Sequence, residues 1–191
     1  MERERFQDYT NNGEAAPQTF SASEMQRRLD DIRGYMSEQG IDAALFSSYH
    51  CINYYSDFLY CYFGRRYGLL VDHNIATTIS AGIDGGQPWR RTYGGKNITY
   101  TDWQRNNYWR AIQSVTGSGK VIGFEGDHLS IAQMGLLDEF LSPKAKVDVA
   151  PMTMLQRMHK SAAEIELIRA GANTADVGGY AIKEAVKVGA R

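Results

Sequence analysis

The sequence has few cysteines, no long apolar run and almost no net charge. Its two cysteines, Cys51 and Cys61, are too far apart for a CxxC motif and supply no disulfide framework. No apolar stretch is long enough to span a bilayer, and residues 1–20 lack the apolar core of a signal peptide. Lys and Arg (21) nearly balance Asp and Glu (22), which argues against a broad basic surface. We therefore expect a globular, cytoplasmic protein that binds neither nucleic acid nor membrane.

The common local signatures of catalysis are also missing. The sequence contains no HExxH, P-loop, GxGxxG or GxSxG motif, and neither cysteine has an assignable histidine partner. The four histidines are scattered without the spacing of metal ligands: His50, His73, His128 and His159. We therefore expect no metal and no cofactor, and the residues alone identify no nucleophile.

Residues 21–40 have the pattern of an amphipathic helix. Apolar residues recur at intervals of three or four positions: Met25, Leu29, Ile32 and Met36. Ser21 and Glu24 have the spacing of a capping box, and Gly40 stands where such a helix ends. The pattern predicts one helix over this whole segment.

Short apolar runs alternate with helical patterns over the following hundred residues. The runs predict strands, two of them joined by a hairpin turn at 72–74: 41–46, 67–71, 75–80, 97–101, 121–125 and 146–150. Two segments have helical patterns, 103–115 and 129–141. This alternation predicts an α/β domain in which helices cover a mixed sheet.

Composition divides the chain into three parts. Residues 1–20 are polar and predict an arm that is ordered only by contact with something else. Residues 21–150 form the folded domain. Residues 151–191 predict a short connecting helix and a long helix whose apolar face needs a partner surface. We expect this last part to be a linker and the start of a further domain.

Three stretches are unusually dense in Tyr, Trp, Phe, Asn and Arg: 47–68, 80–95 and 98–109. They can be a well-packed layer of loops, with Arg90 and Arg91 as structural partners of Asp84 or Asp102. The alternative is a binding site, because an arginine beside an aromatic wall binds a carboxylate through two parallel hydrogen bonds. Both interpretations stay open on the residues alone.

The segment YCYFGRRY, residues 60–67, favours the binding site. Gly64 allows the backbone to turn so that Phe63 and Arg65 face one space. The segment therefore predicts the corner of a pocket for a small carboxylate.

At these residues the chain resembles the creatinases, the creatine amidinohydrolases of the pita-bread superfamily, which also contains prolidase and methionine aminopeptidase. The resemblance rests on SYHCINYYSDFLYCYFGRRY, SAGIDGGQPWRRT and NITYTDWQRNNYWRAIQ, and continues into RMHKSAAEIELIRAGANTADVGG. It covers about residues 20–190. It implies a ribonuclease H-like creatinase N-terminal domain at 21–150, followed by the first helix of a truncated pita-bread domain.

The resemblance implies that the full-length protein is a cytoplasmic, homodimeric hydrolase of creatine. Its acid/base histidine and the carboxylates that grip the guanidinium group are expected beyond Arg191, so no catalytic residue is assigned here and the fragment is expected to be inactive alone. Phe63 and Arg65 carry over as substrate-binding residues that reach the active site of the other subunit. Arg66 stands where the family has a proline and is expected at a surface or interface. The family does not use the metal centre of its peptidase relatives.

Two other functions remain open at this stage. One is a related pita-bread hydrolase or lyase, such as a metal-dependent Xaa-Pro peptidase. The other is a non-catalytic module of the same fold that serves dimerisation or protein binding.

Overall fold

The computed structural model describes residues 6–8, 15–59, 64–85, 87–101 and 106–189. The chain divides into two compact units, Met1–Gln156 and Arg157–Arg191. In chain order its strands and helices are β1 (Phe6–Asp8), α1 (Ala22–Gln39), β2 (Ala43–Phe46), α2 (Tyr49–Ser56), β3 (Gly68–Asp72), β4 (Ala76–Ala81), a 3-10 turn (Gly82–Asp84), α3 (Gln87–Arg91), β5 (Lys96–Tyr100), α4 (Asn107–Thr116), β6 (Val121–Phe124), α5 (Ile131–Leu141), β7 (Ala145–Asp148), α6 (Ala150–Met158) and α7 (Ala162–Ala185).

The strands form one mixed sheet with the order β1-β5-β4-β3-β2-β6-β7. Strands β2, β3 and β4 are antiparallel neighbours, whereas β4 with β5, β2 with β6 and β6 with β7 are parallel. The short β1 adds an antiparallel edge beside β5. The predicted α/β class, with a mixed sheet flanked by helices, is confirmed.

Each face of the sheet carries its own hydrophobic core. Successive strand residues point to opposite faces, so Leu69 and Val71 belong to one cluster and Leu70 to the other. The first cluster is completed by α1 and α2, and the second by α4 and α5. The sheet is therefore covered on both sides.

Helix α1 follows the predicted pattern closely. Its predicted apolar positions are all buried: Met25, Leu29, Ile32 and Met36. Ser21 caps the helix by accepting the Glu24 N–H, and Gly40 ends it with a φ of +64°. The Glu24 carboxylate does not complete the expected capping box, because it hydrogen-bonds to Arg27 and Arg28 instead.

Most predicted strands and helices are present, but one strand is shorter than expected, and β1, α2 and α3 were not predicted. The expected strand at 146–150 ends at Asp148, because its carboxylate accepts the Ala150 N–H and α6 begins there. Helix α2 was not predicted, since its eight residues are mostly aromatic and lack a long helical pattern. The beginning of the helix expected at 103–115 lies outside the described residues, and the described part is α4.

Part of the expected N-terminal arm is hydrogen-bonded to the first unit. The Ala16 N–H donates to the Arg90 carbonyl at 2.7 Å, and the Thr19 N–H donates to the Asp57 carboxylate at 2.6 Å. Strand β1 extends the sheet at its edge. These residues thus find partners within the chain itself.

In the second unit, α7 begins with a capping box between Ser161 and Glu164. None of its described residues is buried, and several apolar side chains are exposed: Ile165, Leu167, Ile168, Val177, Tyr180 and Ile182. Among the helices that the structure describes, none combines the length and apolarity needed to cross a membrane.

Candidate functional site

Residues 64–67 lead into β3 and carry the arginine that the sequence predicts to bind a carboxylate; we name them the Arg65 loop. Gly64 has a φ of +68°, a left-handed conformation that glycine adopts without strain. Arg65 and Arg66 are exposed, whereas Tyr67 is buried. The loop therefore keeps both arginines at the surface. Phe63, the other predicted substrate-binding residue, lies outside the described residues.

Two tyrosine hydroxyls hold the backbone of the Arg65 loop. The Tyr100 hydroxyl accepts the Arg66 N–H at 3.2 Å and donates to the Arg66 carbonyl at 3.0 Å. The Tyr108 hydroxyl donates to the Tyr67 carbonyl at 3.2 Å. Because a hydroxyl can donate and accept at once, Tyr100 alone satisfies both backbone groups of residue 66.

These tyrosines belong to a buried aromatic wall made by Tyr100, Tyr108 and Trp109. The ring centroids of Tyr100 and Tyr108 are 5.7 Å apart, and those of Tyr108 and Trp109 are 5.3 Å apart. Both pairs meet edge to face, with interplanar angles of 76° and 79°, which is a favoured geometry for aromatic rings. Strand β5 supplies the first ring and α4 the other two, so the wall joins the sheet to a helix.

Two cavities lie along this wall, and the Arg65 loop borders both. The larger has a volume of about 440 Å³ and is also lined by the first turn of α4 and by Ala132 and Leu136 of α5. The smaller has a volume of about 170 Å³ and is also lined by Ser47, His128 and Gln133. The larger volume falls within the range of small-molecule sites.

Two buried polar atoms belong to residues that line the larger cavity. Asn107 Oδ1 and Trp109 Nε1 have no hydrogen-bond partner in the part of the chain that the structure describes. The Asn107 amide nitrogen, in contrast, donates to the carbonyl and the hydroxyl of Thr101 at 2.9 and 3.1 Å. Two residues that line this cavity thus carry a buried polar atom to which the described residues supply no hydrogen bond.

The buried carboxylate of Glu125 holds Ser47, which lines the smaller cavity, and its neighbour Ser48. It accepts the Ser47 N–H at 2.5 Å, the Ser48 N–H at 2.8 Å and the Ser48 hydroxyl at 2.5 Å. Ser48 is also the N-cap of α2, so the carboxylate lies at the positive end of a helix. Within the described ranges, the carboxylate is thus hydrogen-bonded by neutral donors.

His128 lines the smaller cavity and contacts Ser47. Its Nδ1 is 2.8 Å from the Ser47 hydroxyl, and the roles of donor and acceptor depend on the tautomer. His128 is exposed, whereas Ser47 and Glu125 are buried. Of these three residues, His128 is thus the one that solvent reaches.

Sequence reasoning did not find Glu125, Ser47 and Ser48, although a signal was present. Ser47 and Ser48 follow β2, and Glu125 follows β6. Strands β2 and β6 are parallel neighbours, and the carboxyl ends of parallel strands meet at one edge of a sheet, where ligands commonly bind. To recognise these three residues as neighbours from the sequence, one would have to know that β2 pairs with β6.

The predicted pairing of Arg90 and Arg91 with Asp84 or Asp102 is tested only in part by the described residues. Asp84 forms no ion pair with any of them, and partial burial raises the pKa of its carboxyl group. The Arg91 Nε donates instead to the Gln87 side chain at 3.3 Å. Asp102 lies outside the described residues.

Within the described ranges, no group of three or more His, Cys, Asp or Glu side chains could hold a metal ion. The described site offers two exposed arginines, an aromatic wall and a few neutral polar atoms beside the cavities.

Comparisons with known proteins agree with the resemblance. The family model of the creatinase/prolidase N-terminal domain matches residues 28–159. A creatinase from a Bacillus species is 45% identical over 190 residues, which cover 97% of this chain and 46% of that protein. The chain thus spans less than half the length of this curated relative.

Solved structures of prolidases share the fold. The Xaa-Pro dipeptidase from Bacillus anthracis superimposes with a TM-score of 0.68 at 18% identity, over 85% of this chain and 44% of that one. The N-terminal domain of an X-Pro dipeptidase from Streptococcus pyogenes gives a TM-score of 0.59 at 24% identity, over 67% of this chain and 97% of that one. Since the family model covers most of the chain, this protein belongs to the creatinase/prolidase N-terminal domain family.

Proposed function

We propose that this chain is the N-terminal part of a creatinase, a homodimeric enzyme that hydrolyses creatine to sarcosine and urea. In this proposal the chain contributes substrate-carboxylate binding and dimerisation, and the catalytic groups lie in the remainder of the protein. Residues 1–20 are an N-terminal arm, residues 21–150 are the domain, and residues 151–191 link it to the catalytic domain. The isolated chain is then inactive.

The observation that carries the proposal is the placement of Arg65. Its side chain is exposed on a loop whose backbone is hydrogen-bonded to buried tyrosines, and it borders both cavities. Creatine is a small zwitterion with a carboxylate at one end. A guanidinium fork matches that carboxylate with two parallel hydrogen bonds, and the neighbouring aromatic wall strengthens them by excluding water.

The identity to a known creatinase supports the choice of substrate. At 45% over almost the whole chain, it includes the region of the Arg65 loop. In the proposed dimer, Phe63 and Arg65 reach the active site of the other subunit, where Arg65 holds the carboxylate. An exposed arginine on a supported loop suits such a role, because its side chain is accessible while the backbone of the next two residues is held by hydrogen bonds.

The experiment measures urea release from creatine by the full-length protein and by its Arg65→Ala variant. We expect kcat/KM to fall about 30- to 1000-fold, the value of a lost bidentate contact to a buried carboxylate. Arg65→Lys keeps the positive charge but loses the forked guanidinium group. Its kcat/KM is expected to lie between that of the unmodified protein and that of Arg65→Ala. Arg110→Ala is the matched control, since it removes an exposed arginine that lies over the Phe140 ring.

The same assay distinguishes the alternatives. Full activity in the presence of a chelator favours creatinase, whereas loss of activity favours a metal-dependent peptidase resembling the prolidases that share this fold. Absence of urea release from creatine by the unmodified protein would refute the proposed substrate. If the protein also cleaved no Xaa-Pro dipeptide but formed dimers by light scattering, a non-catalytic dimerisation module would be favoured.

A further inference from the structure

The residue after Arg65 is held by an unusual arrangement. Both backbone groups of Arg66 bond to one side-chain atom, the Tyr100 hydroxyl, at 3.2 and 3.0 Å. Residue 66 lies just before β3, whereas Tyr100 lies at the end of β5, and β4 separates these two strands in the sheet. The Tyr100 hydroxyl therefore extends past β4 to bond to the loop. This contact is separate from the backbone hydrogen bonds between the strands.

A second hydroxyl holds the next residue. Tyr108 of α4 donates to the Tyr67 carbonyl at 3.2 Å, and its hydroxyl lies against Gly68. A Cβ at position 68 would come within 2.7 Å of that oxygen, so only glycine leaves room for it. The sequence at the start of β3 is thus matched to the tyrosine that supports it.

Both supporting side chains are buried, whereas the Arg65 side chain is exposed. Tyr100 and Tyr108 are each 6% exposed, and their rings contact each other edge to face. Gly64 allows many backbone conformations on the other side of Arg65, and the Arg65 side chain is exposed. The two hydroxyls therefore hold the backbone directly beside this exposed side chain.

Recognition of a carboxylate by a fork is sensitive to position. The productive geometry of such a site must hold to within about 0.5 Å, which requires support behind the contacting residue. The position of the Arg65 backbone depends on the next residue, Arg66. The backbone of Arg66 is in turn bonded to the Tyr100 hydroxyl.

We propose that Tyr100 and Tyr108 are positioning residues for Arg65, and that their hydroxyls fix the Arg65 loop so that its guanidinium group meets the substrate carboxylate. The inference rests on the proposed function for its catalytic consequence. Its structural half, fixation of the loop by two hydroxyls, is independent of any substrate.

The first test examines that structural half on the chain of 191 residues. Amide hydrogen exchange, read by NMR, is compared among Tyr100→Phe, Tyr108→Phe and the unmodified chain. Since the Arg66 N–H bonds to Tyr100, we expect Tyr100→Phe to speed its exchange about 3- to 10-fold, the range of one lost hydrogen bond. Tyr108→Phe removes a bond to a carbonyl and is expected to change this amide less.

Tyr93→Phe is the matched control, because its hydroxyl donates to Gln26 on α1 and not to the loop. It should leave the Arg66 amide unchanged. Unchanged exchange in Tyr100→Phe would overturn the inference, whatever the outcome for the proposed function.

The second test is a double-mutant cycle in the full-length protein with Arg65→Ala. We expect Tyr100→Phe to lower kcat/KM for creatine about 3- to 10-fold, mainly through KM, and to have no further effect once Arg65 is alanine. An equal loss in both backgrounds would assign the tyrosine a general structural role and overturn the inference. An effect of Arg65→Ala without any effect of Tyr100→Phe would overturn the inference but leave the proposed function intact. No effect of Arg65→Ala would refute the proposed role of Arg65, and with it the catalytic half of this inference.

Discussion

Arg28 and Arg65 show two different uses of the same side chain. Arg28 is 2% exposed, and its guanidinium carbon lies 4.1 Å from the ring centroid of Phe20 and 4.4 Å from that of Tyr54. Its Nε donates to Glu24 at 2.9 Å and its Nη1 to the Tyr54 carbonyl at 3.0 Å. Arg65, in contrast, is exposed on a loop that is held through the backbone of its neighbours.

The two arginines differ in what stabilises the charge of each side chain. A buried guanidinium loses its hydration and must recover that free energy from carboxylate, carbonyl and aromatic partners in the same fold. An exposed guanidinium keeps its hydration, so the fold gains little from it and the side chain can serve a ligand. We therefore expect substitutions of the first arginine to change stability and those of the second to change function.

The largest effect on stability is expected for Arg28→Ala. It removes the group between two aromatic rings and leaves the Tyr54 carbonyl without that donor, which should lower the free energy of unfolding by about 3 kcal/mol. Urea denaturation of the chain measures the change. Arg65→Ala is the matched variant and should stay within about 0.5 kcal/mol. Equal losses in the two variants would break the comparison.

A smaller effect on stability is expected for Glu125→Ala. This variant removes a buried carboxylate that is bonded to Ser47, a residue of the smaller cavity. The Glu125 carboxylate accepts the N–H groups of Ser47 and Ser48, so its loss leaves both without this acceptor. We expect a loss of about 2 kcal/mol in the same denaturation experiment, and about 1 kcal/mol for Glu125→Gln, which retains one acceptor oxygen. If Glu125→Ala lost no stability, the positions of Ser47 and Ser48 beside the smaller cavity would not depend on this carboxylate.

The smallest effect is expected for Glu24→Gln, and it depends on pH. The hydrogen bond from Arg27, together with that from Arg28, lowers the pKa of Glu24 from 4.5 to about 2. Because the folded state has the lower pKa, the stabilisation is complete above pH 4.5 and is lost as the pH falls toward 2. We expect the variant to be less stable by about 1 kcal/mol at neutral pH, since Arg27 is partly exposed.

Denaturation curves at several pH values check this prediction. The difference between the variant and the unmodified chain should shrink as the pH falls below 4.5. A difference that stays constant down to acid pH would show that the carboxylate stabilises the helix by packing rather than by charge.

The parts of the fold that the sequence predicted are those fixed by local physical chemistry. Helix α1 was predictable because Met25 and Leu29 repeat at the helical period and Gly40 ends it through its own conformational freedom. The hairpin between β3 and β4 was predictable for a similar reason, since the Asp72 carboxylate accepts the N–H groups of Asn74 and Ile75 within the turn itself.

The supports of the site were not predictable, because their partners are distant in the sequence. Tyr100 is 34 residues from Arg66, Tyr108 is 41 residues from Tyr67, and Glu125 is 78 residues from Ser47. Each contact depends on strand order, which no local pattern specifies. The sequence pointed to Arg65 itself through its neighbouring glycine, and the resemblance gave it a role that the described contacts neither require nor oppose.

The way in which the Arg65 loop is held also bears on how such a site can evolve. Among the described residues, the tyrosine hydroxyls bond to backbone atoms of residues 66 and 67. Every residue type has the carbonyl, and all but proline have the N–H. Selection can therefore exchange the side chains at positions 65 and 66 without rebuilding the frame beneath them. One inherited scaffold could acquire a different ligand preference through one or two codon changes.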